Sequence, residues 1–205
     1  MDRPELKLMA QPQAWRVFSA RKVDPAFQQF AEKVFVRDNY VCQFCGFQAH
    51  EYQQVVNRDN DYHNSKITNM MTACCFCAQC LFIESIDFND YGGGKIIFFP
   101  ELSQAELNGL CQVVFCAIAN ASDYRTNAQT IYRDLKLRSQ VVDETLGEGM
   151  SNPVRLGQML IDAPLDDRQK VQDTLLKDLR LLPSKTKFEA QINVWAATAV
   201  KELAA

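Results

Sequence analysis

The chain has 205 residues, 47% of them apolar and 23% charged, and a formal net charge of −3. This is enough to bury a core in one domain or two small ones. No run approaches the roughly 20 apolar residues of a membrane-spanning helix, and no apolar stretch near Met1 precedes a small-residue cleavage site, so a cytoplasmic protein is expected. Acids and bases nearly balance in both halves, eleven against ten before residue 101 and fourteen against twelve from there on. The cationic excess that phosphate-backbone binding draws on is therefore missing.

In chain order, residues 1–23 are mixed, with one or two short strands expected around Leu6 and Val17. Asp24-Pro25 reads as an N-cap followed by proline at the first helical position. Phe27, Phe30, Ala31, Val34 and Phe35 recur at helical spacing, so a helix leads into the first cysteine pair. A short strand is expected over Tyr52 to Val56, a polar loop over Asn57 to Asn64, and a helix from near Cys77 carrying Leu81, Phe82 and Ile86. Gly92-Gly93-Gly94 reads as a turn. It precedes a strand, Ile96 to Phe99, which is the reverse of the strand–loop–helix order that cradles phosphate. From Ser103 onward everything reads as helix. Ser103-Gln104-Ala105-Glu106 is a capping box, followed by Leu107, Leu110, Cys111, Val114, Phe115 and Ile118 on one face. A long helix is expected from Ser122 through Tyr132, Leu135 and Val142 to a stop near Gly147 and Gly149. A short helix opens at Asn152-Pro153, another spans about Pro164 to Leu182, and a last one runs from about Ser184 to Leu203.

Eight cysteines dominate the chemistry. Cys42 and Cys45 form one C-x-x-C; Cys74, Cys75, Cys77 and Cys80 crowd into seven residues and give the same spacing at 74/77 and at 77/80. With no route to an oxidising compartment expected, a disulfide framework is disfavoured. Two C-x-x-C pairs separated by a few tens of residues read as a zinc site, each pair supplying two sulfurs from one turn. Spacing leaves open whether Cys74 or Cys80 joins Cys77. Cys111 and Cys116 fall on a later apolar pattern and read as core packing. His50 and His63 are the two histidines; His63 lies beside Asp59 and Asp61, where a weak metal site is conceivable but solvated loop residues are the plainer reading. Cys75 has no paired base that would make it a nucleophile.

Arg37-Asp38-Asn39-Tyr40-Val41-Cys42-Gln43-Phe44-Cys45-Gly46 resembles the opening knuckle of HNH-family endonucleases, and Asn69-Met70-Met71-Thr72-Ala73-Cys74-Cys75-Phe76-Cys77 is similar to their second. The resemblance covers about 45 residues and puts Cys42, Cys45, Cys74 and Cys77 in the ligand places. It implies a catalytic base and divalent-metal ligands at positions that read Gln53, Gln54 and Ala78 in this chain. Glutamine is a poor base and a poor ligand for a hard cation, and alanine serves neither role. Without that metal, phosphodiester cleavage has little to drive it.

An HNH-like zinc module with empty catalytic positions, joined to a helical tail of about a hundred residues and carrying Thr72-Ala-Cys-Cys-Phe-Cys-Ala-Gln-Cys80, resembles the IcmJ/DotN family of the Dot/Icm type IVB secretion system. The resemblance implies an α+β protein: a zinc-stabilised HNH/treble-clef-like ββα module with an N-terminal extension over 1–100, and a mainly helical region over 101–205. It further implies a non-enzymatic subunit, peripheral to the inner membrane, that binds the C-terminal extension of the DotL coupling ATPase in a complex with the adaptors IcmS and IcmW and supports effector recruitment. The alternative is a non-catalytic nucleic-acid-binding zinc module; an HNH nuclease comes last.

Overall fold

The computed structural model describes residues 3–164, 166, 170–171 and 174–203. Among these residues, helices and two small antiparallel sheets make an α+β fold. Residues 3–11 carry no regular secondary structure where a strand around Leu6 was expected, and Met9 straps the chain down: its N–H donates to Cys80 O at 2.8 Å and its carbonyl accepts from Ile83 N at 3.0 Å. Helix α1 (Pro12–Val23) follows where a strand around Val17 was expected. Its Phe18 enters an aromatic cluster with Trp15, Tyr62, Phe82 and Tyr91, so tertiary packing overrides weak local propensity. Helix α2 (Pro25–Arg37) begins at the predicted cap, the Asp24 side chain accepting from Ala26 N at 2.9 Å.

Strands β1 (Gln53–Asn57) and β2 (Met70–Cys74) pair antiparallel, Gln53 opposite Cys74 and Asn57 opposite Met70. Helix α3 (Cys75–Ala78) follows directly. The continuous helix expected beyond Cys77 does not form. Two 3-10 turns, Gln79–Leu81 and Ile83–Ser85, replace it, because the Met9 strap occupies backbone groups that a helix would use.

Strand β3 (Gly94–Phe98) pairs antiparallel with β4 (Leu179–Pro183). The start of the helix expected from Pro164 falls largely outside the described residues, but its end is corrected: Leu179 to Leu182 is strand. An apolar run this short fits either period, and pairing with β3 decides it. Helix α4 (Gln104–Ala119) carries the predicted capping box. The single long helix expected after Ser122 is two, α5 (Arg125–Leu137) and α6 (Ser139–Leu146). They part at Arg138, whose carbonyl accepts from Phe98 N at 3.3 Å while its guanidinium pairs with Glu101 and lies 4.5 Å from the Phe99 ring. Helix α7 (Pro153–Asp162) starts at Asn152-Pro153 as predicted. Helix α8 (Glu189–Leu203) starts later than Ser184, whose N–H instead donates to Gly93 O at 2.9 Å. One apolar core runs from Leu6 to Trp195; a small satellite of Ala31, Val34, Val55 and Met70 lies under α2. Among the described residues no helix is long and apolar enough to cross a membrane.

Candidate metal centre

Two local turns build the site. After α2, Cys42 N donates to Phe47 O at 2.8 Å and Gly46 N donates to Cys42 O at 2.9 Å. Gly46 sits at φ +80°, a conformation that glycine adopts without Cβ strain, so the Cys-x-x-Cys-Gly order is what the turn requires. Gln43 N reaches across to Thr72 O at 2.8 Å and ties this turn to β2. The second pair straddles the end of β2: Cys74 caps α3 and Cys77 lies in its single turn.

Together these place the Sγ atoms of Cys42, Cys45, Cys74 and Cys77 within 4.8 Å of one another, with Cys45 and Cys74 3.7 Å apart. A tetrahedral ion with metal–sulfur bonds of about 2.3 Å sets its sulfurs about 3.8 Å apart. The donor set and its spacing are therefore compatible with a thiolate-bound metal ion. Three of the four cysteines are buried and Cys45 is half-buried.

The electrostatics say what four bare thiols can do. Burial pushes the Cys42 thiol up, but hydrogen bonds from Cys45, Cys74 and Cys77 outweigh it and hold the group well below its ordinary value. Cys74 and Cys77 are pushed well above theirs, first by burial and then by neighbouring cysteines. One thiolate solvated by its neighbours opposes a second. A cation at the centre reverses that opposition, since it favours the thiolate form of every ligand.

Cys80 stands outside this group. Its Sγ donates to Phe76 O at 3.2 Å, and burial raises it to about 12. Cys75 is buried and raised by the same cause. Cys111 and Cys116 lie on α4, against the core.

Gln53 and Gln54 sit on β1 opposite Cys74 and Ala73. Gln53 Nε2 donates to Tyr40 O at 3.1 Å, while both Oε1 atoms are buried without a partner. Ala78 is fully buried at the end of α3. His50 packs its ring 4.2 Å from that of Tyr40. His63 is exposed, and Asp59 beside it is turned to its own loop, accepting from Asn69 Nδ2, Asn64 Nδ2 and Asp61 N at 2.8–2.9 Å. Those donors, Asn64 first, hold the Asp59 carboxyl below its usual range, so it acts as a loop organiser.

Two residues that the sequence reading passed over stand near the cysteines. Asp38 Oδ2 accepts from Thr72 N at 2.8 Å, two residues before Cys74. Asn108, on α4, points Nδ2 at Cys77 Sγ, 3.3 Å away, and at Phe76 O, 3.2 Å away. A signal for Asn108 existed: it is a polar residue at helical spacing from Cys111 and Phe115, in the middle of an apolar face.

No protein-family model matches the chain. It is similar to the Type 4 apparatus protein DotN of Legionella pneumophila subsp. pneumophila (strain Philadelphia 1), 54% identical over 203 residues that span 99% of this chain and 94% of that protein. Identity at that level along nearly the whole of both chains assigns the lineage, and the chain belongs to the DotN (IcmJ) family of Dot/Icm type IV secretion apparatus proteins.

Proposed function

We propose that the chain is a zinc-holding structural subunit, without catalysis of its own, of a type IV secretion coupling-protein complex. In this reading it binds the C-terminal extension of a DotL-type coupling ATPase, beside the adaptors IcmS and IcmW, and supports effector recruitment while lying peripheral to the inner membrane through that complex. The observation that carries it is a complete set of four gathered thiols next to an emptied set of catalytic positions: Cys42, Cys45, Cys74 and Cys77 come together, whereas Gln53, Gln54 and Ala78 hold nothing that can activate water. The order β1–β2–α3 around the cysteines supports an HNH/treble-clef-like module kept for its architecture. Soft thiolates favour zinc over the hard cations of phosphoryl chemistry.

Elemental analysis tests the metal: one zinc per chain is expected, lost in Cys42→Ser, Cys74→Ser and Cys77→Ser but kept in Cys80→Ser. Affinity purification from lysate at moderate salt tests the partner, with the coupling ATPase expected in the eluate. Plasmid incubated with magnesium, manganese or nickel should stay intact. Metal-dependent nicking that disappears in Cys77→Ser would overturn the non-catalytic reading.

A further inference from the structure

Helix α4 carries Gln104, Asn108 and Gln112 at successive i, i+4 positions, each at most 4% exposed. Burying amides on an apolar face is costly unless their groups are paired. Two of the three form a relay with a definite polarity. Leu181 of β4 donates its backbone N–H to Gln104 Oε1 at 2.7 Å, and its carbonyl accepts from Gln104 Nε2 at 2.9 Å. A backbone N–H can only donate and a carbonyl can only accept, so the strand fixes which way the Gln104 amide faces. Gln104 Nε2 then donates to Asn108 Oδ1 at 3.0 Å. That bond and the donation of Nδ2 to Phe76 O at 3.2 Å together turn the oxygen of Asn108 away from the cysteines and leave Nδ2 aimed at Cys77 Sγ at 3.3 Å, with Cys80 Sγ at 3.8 Å. An amide N–H facing sulfur stabilises a thiolate; the amide oxygen in its place would repel one.

We propose that Asn108 is a positioning residue of the cysteine site, oriented through Gln104 by strand β4, so that metal retention depends on the docking of a strand a hundred residues away from the ligands. The inference rests on the metal-site reading above and adds to it the residue that tunes Cys77. Gln112 lies one turn further along and its side-chain amide has no partner, which makes it an internal control on the same helix.

The test uses the full-length protein loaded with cobalt(II) or zinc. In cobalt-loaded protein the sulfur-to-metal charge-transfer band should move to lower energy in Asn108→Ala and Asn108→Asp, because the thiolate loses its donor. Zinc transfer to a chromophoric chelator should be faster by about ten- to a hundredfold in both. Gln104→Met, which hydrogen-bonds no cysteine, should speed transfer several-fold by removing the donor to Asn108 Oδ1 and leaving Phe76 O alone to hold the amide. Gln112→Leu should keep the wild-type band and rate. Asn108→Asp conserves volume and covers the case in which truncation to alanine prevents folding, and Gln104→Met leaves the cluster itself intact. Bands and rates that match wild type in the Asn108 and Gln104 variants, with metal bound, would overturn the inference alone. A wild-type protein that binds neither cobalt nor zinc would overturn the metal reading as well.

Discussion

Asp38 shows how one ionised side chain sets the approach to the first cysteine pair. Its two oxygens take the Arg37 guanidinium at 2.8 and 3.0 Å, and Oδ2 also accepts from Thr72 N. Arg37 in turn donates to the carbonyls of Ile67 and Met70 at 2.8 and 2.6 Å. The end of α2 is thereby pinned to β2. The Asp38 side chain is only 9% exposed. Burial alone would raise the carboxyl, but the donors, Arg37 first, hold it below the usual range. A carboxyl depressed in the folded state stabilises above its unfolded value of about 3.9, and that contribution is lost as pH falls through the folded value. Asp38→Asn keeps one acceptor and loses the charge, so it should cost about 1–2 kcal/mol at pH 7. Denaturant unfolding of both proteins across pH checks this: the gap should be full near neutrality and shrink below about pH 4. Acid strips the proposed metal from both alike, so the gap and not the absolute stability reports on Asp38. An unchanged gap at pH 3 would refute the assignment.

At the scale of elements, two helical glycines that look alike in the sequence have opposite meanings. In α7, a Cβ on Gly157 would fall 2.7 Å from Glu84 N and 2.8 Å from Glu84 Cα. Those are backbone atoms of the 3-10 turn against which the helix packs, and they cannot swing aside. Gly157→Ala should therefore destabilise by about 1–3 kcal/mol through overpacking, despite the helix propensity that alanine adds. In α4, a Cβ on Gly109 would meet nothing within 4 Å. Gly109→Ala should stabilise by up to about 1 kcal/mol. Thermal melts of the two variants should shift in opposite directions; a common direction would mean that the α7 contact is looser than the geometry implies. The close approach of α7 to the turn at Glu84 was invisible in the sequence because it joins segments some seventy residues apart. The caps at Asp24, Ser103 and Asn152 were legible because each cap and its N–H lie within three residues.

At the scale of the whole molecule, contacts join residues before 100 to residues after it. β3 pairs with β4, Trp195 of α8 donates to Glu51 O at 3.2 Å and packs on Phe47 and Phe76, and the main apolar core includes residues from both regions. One cooperative unfolding transition is expected, with far- and near-ultraviolet circular dichroism coincident. With the proposed zinc bound, chelation should lower the whole transition, since a structural thiolate site contributes on the order of 10 kcal/mol to the fold it closes. Two separated transitions, with only the first sensitive to chelator, would show that the regions fold independently.

What the sequence determined by itself was local: the two C-x-x-C turns, the glycine that follows the first and the helix caps. Each depends on residues a few places apart, where backbone geometry leaves few choices. Spacing alone did not choose between Cys74 and Cys80, since both stand three residues from Cys77. The tertiary structure places Cys74 with Cys42 and Cys45 and gives the Cys80 thiol to Phe76 O. It also made a strand of Leu179–Pro183, split the long helix at Arg138 and turned Asn108 toward Cys77. Those outcomes were decided by backbone and amide groups whose partners lie roughly thirty to eighty residues away, a distance over which periodicity carries no information.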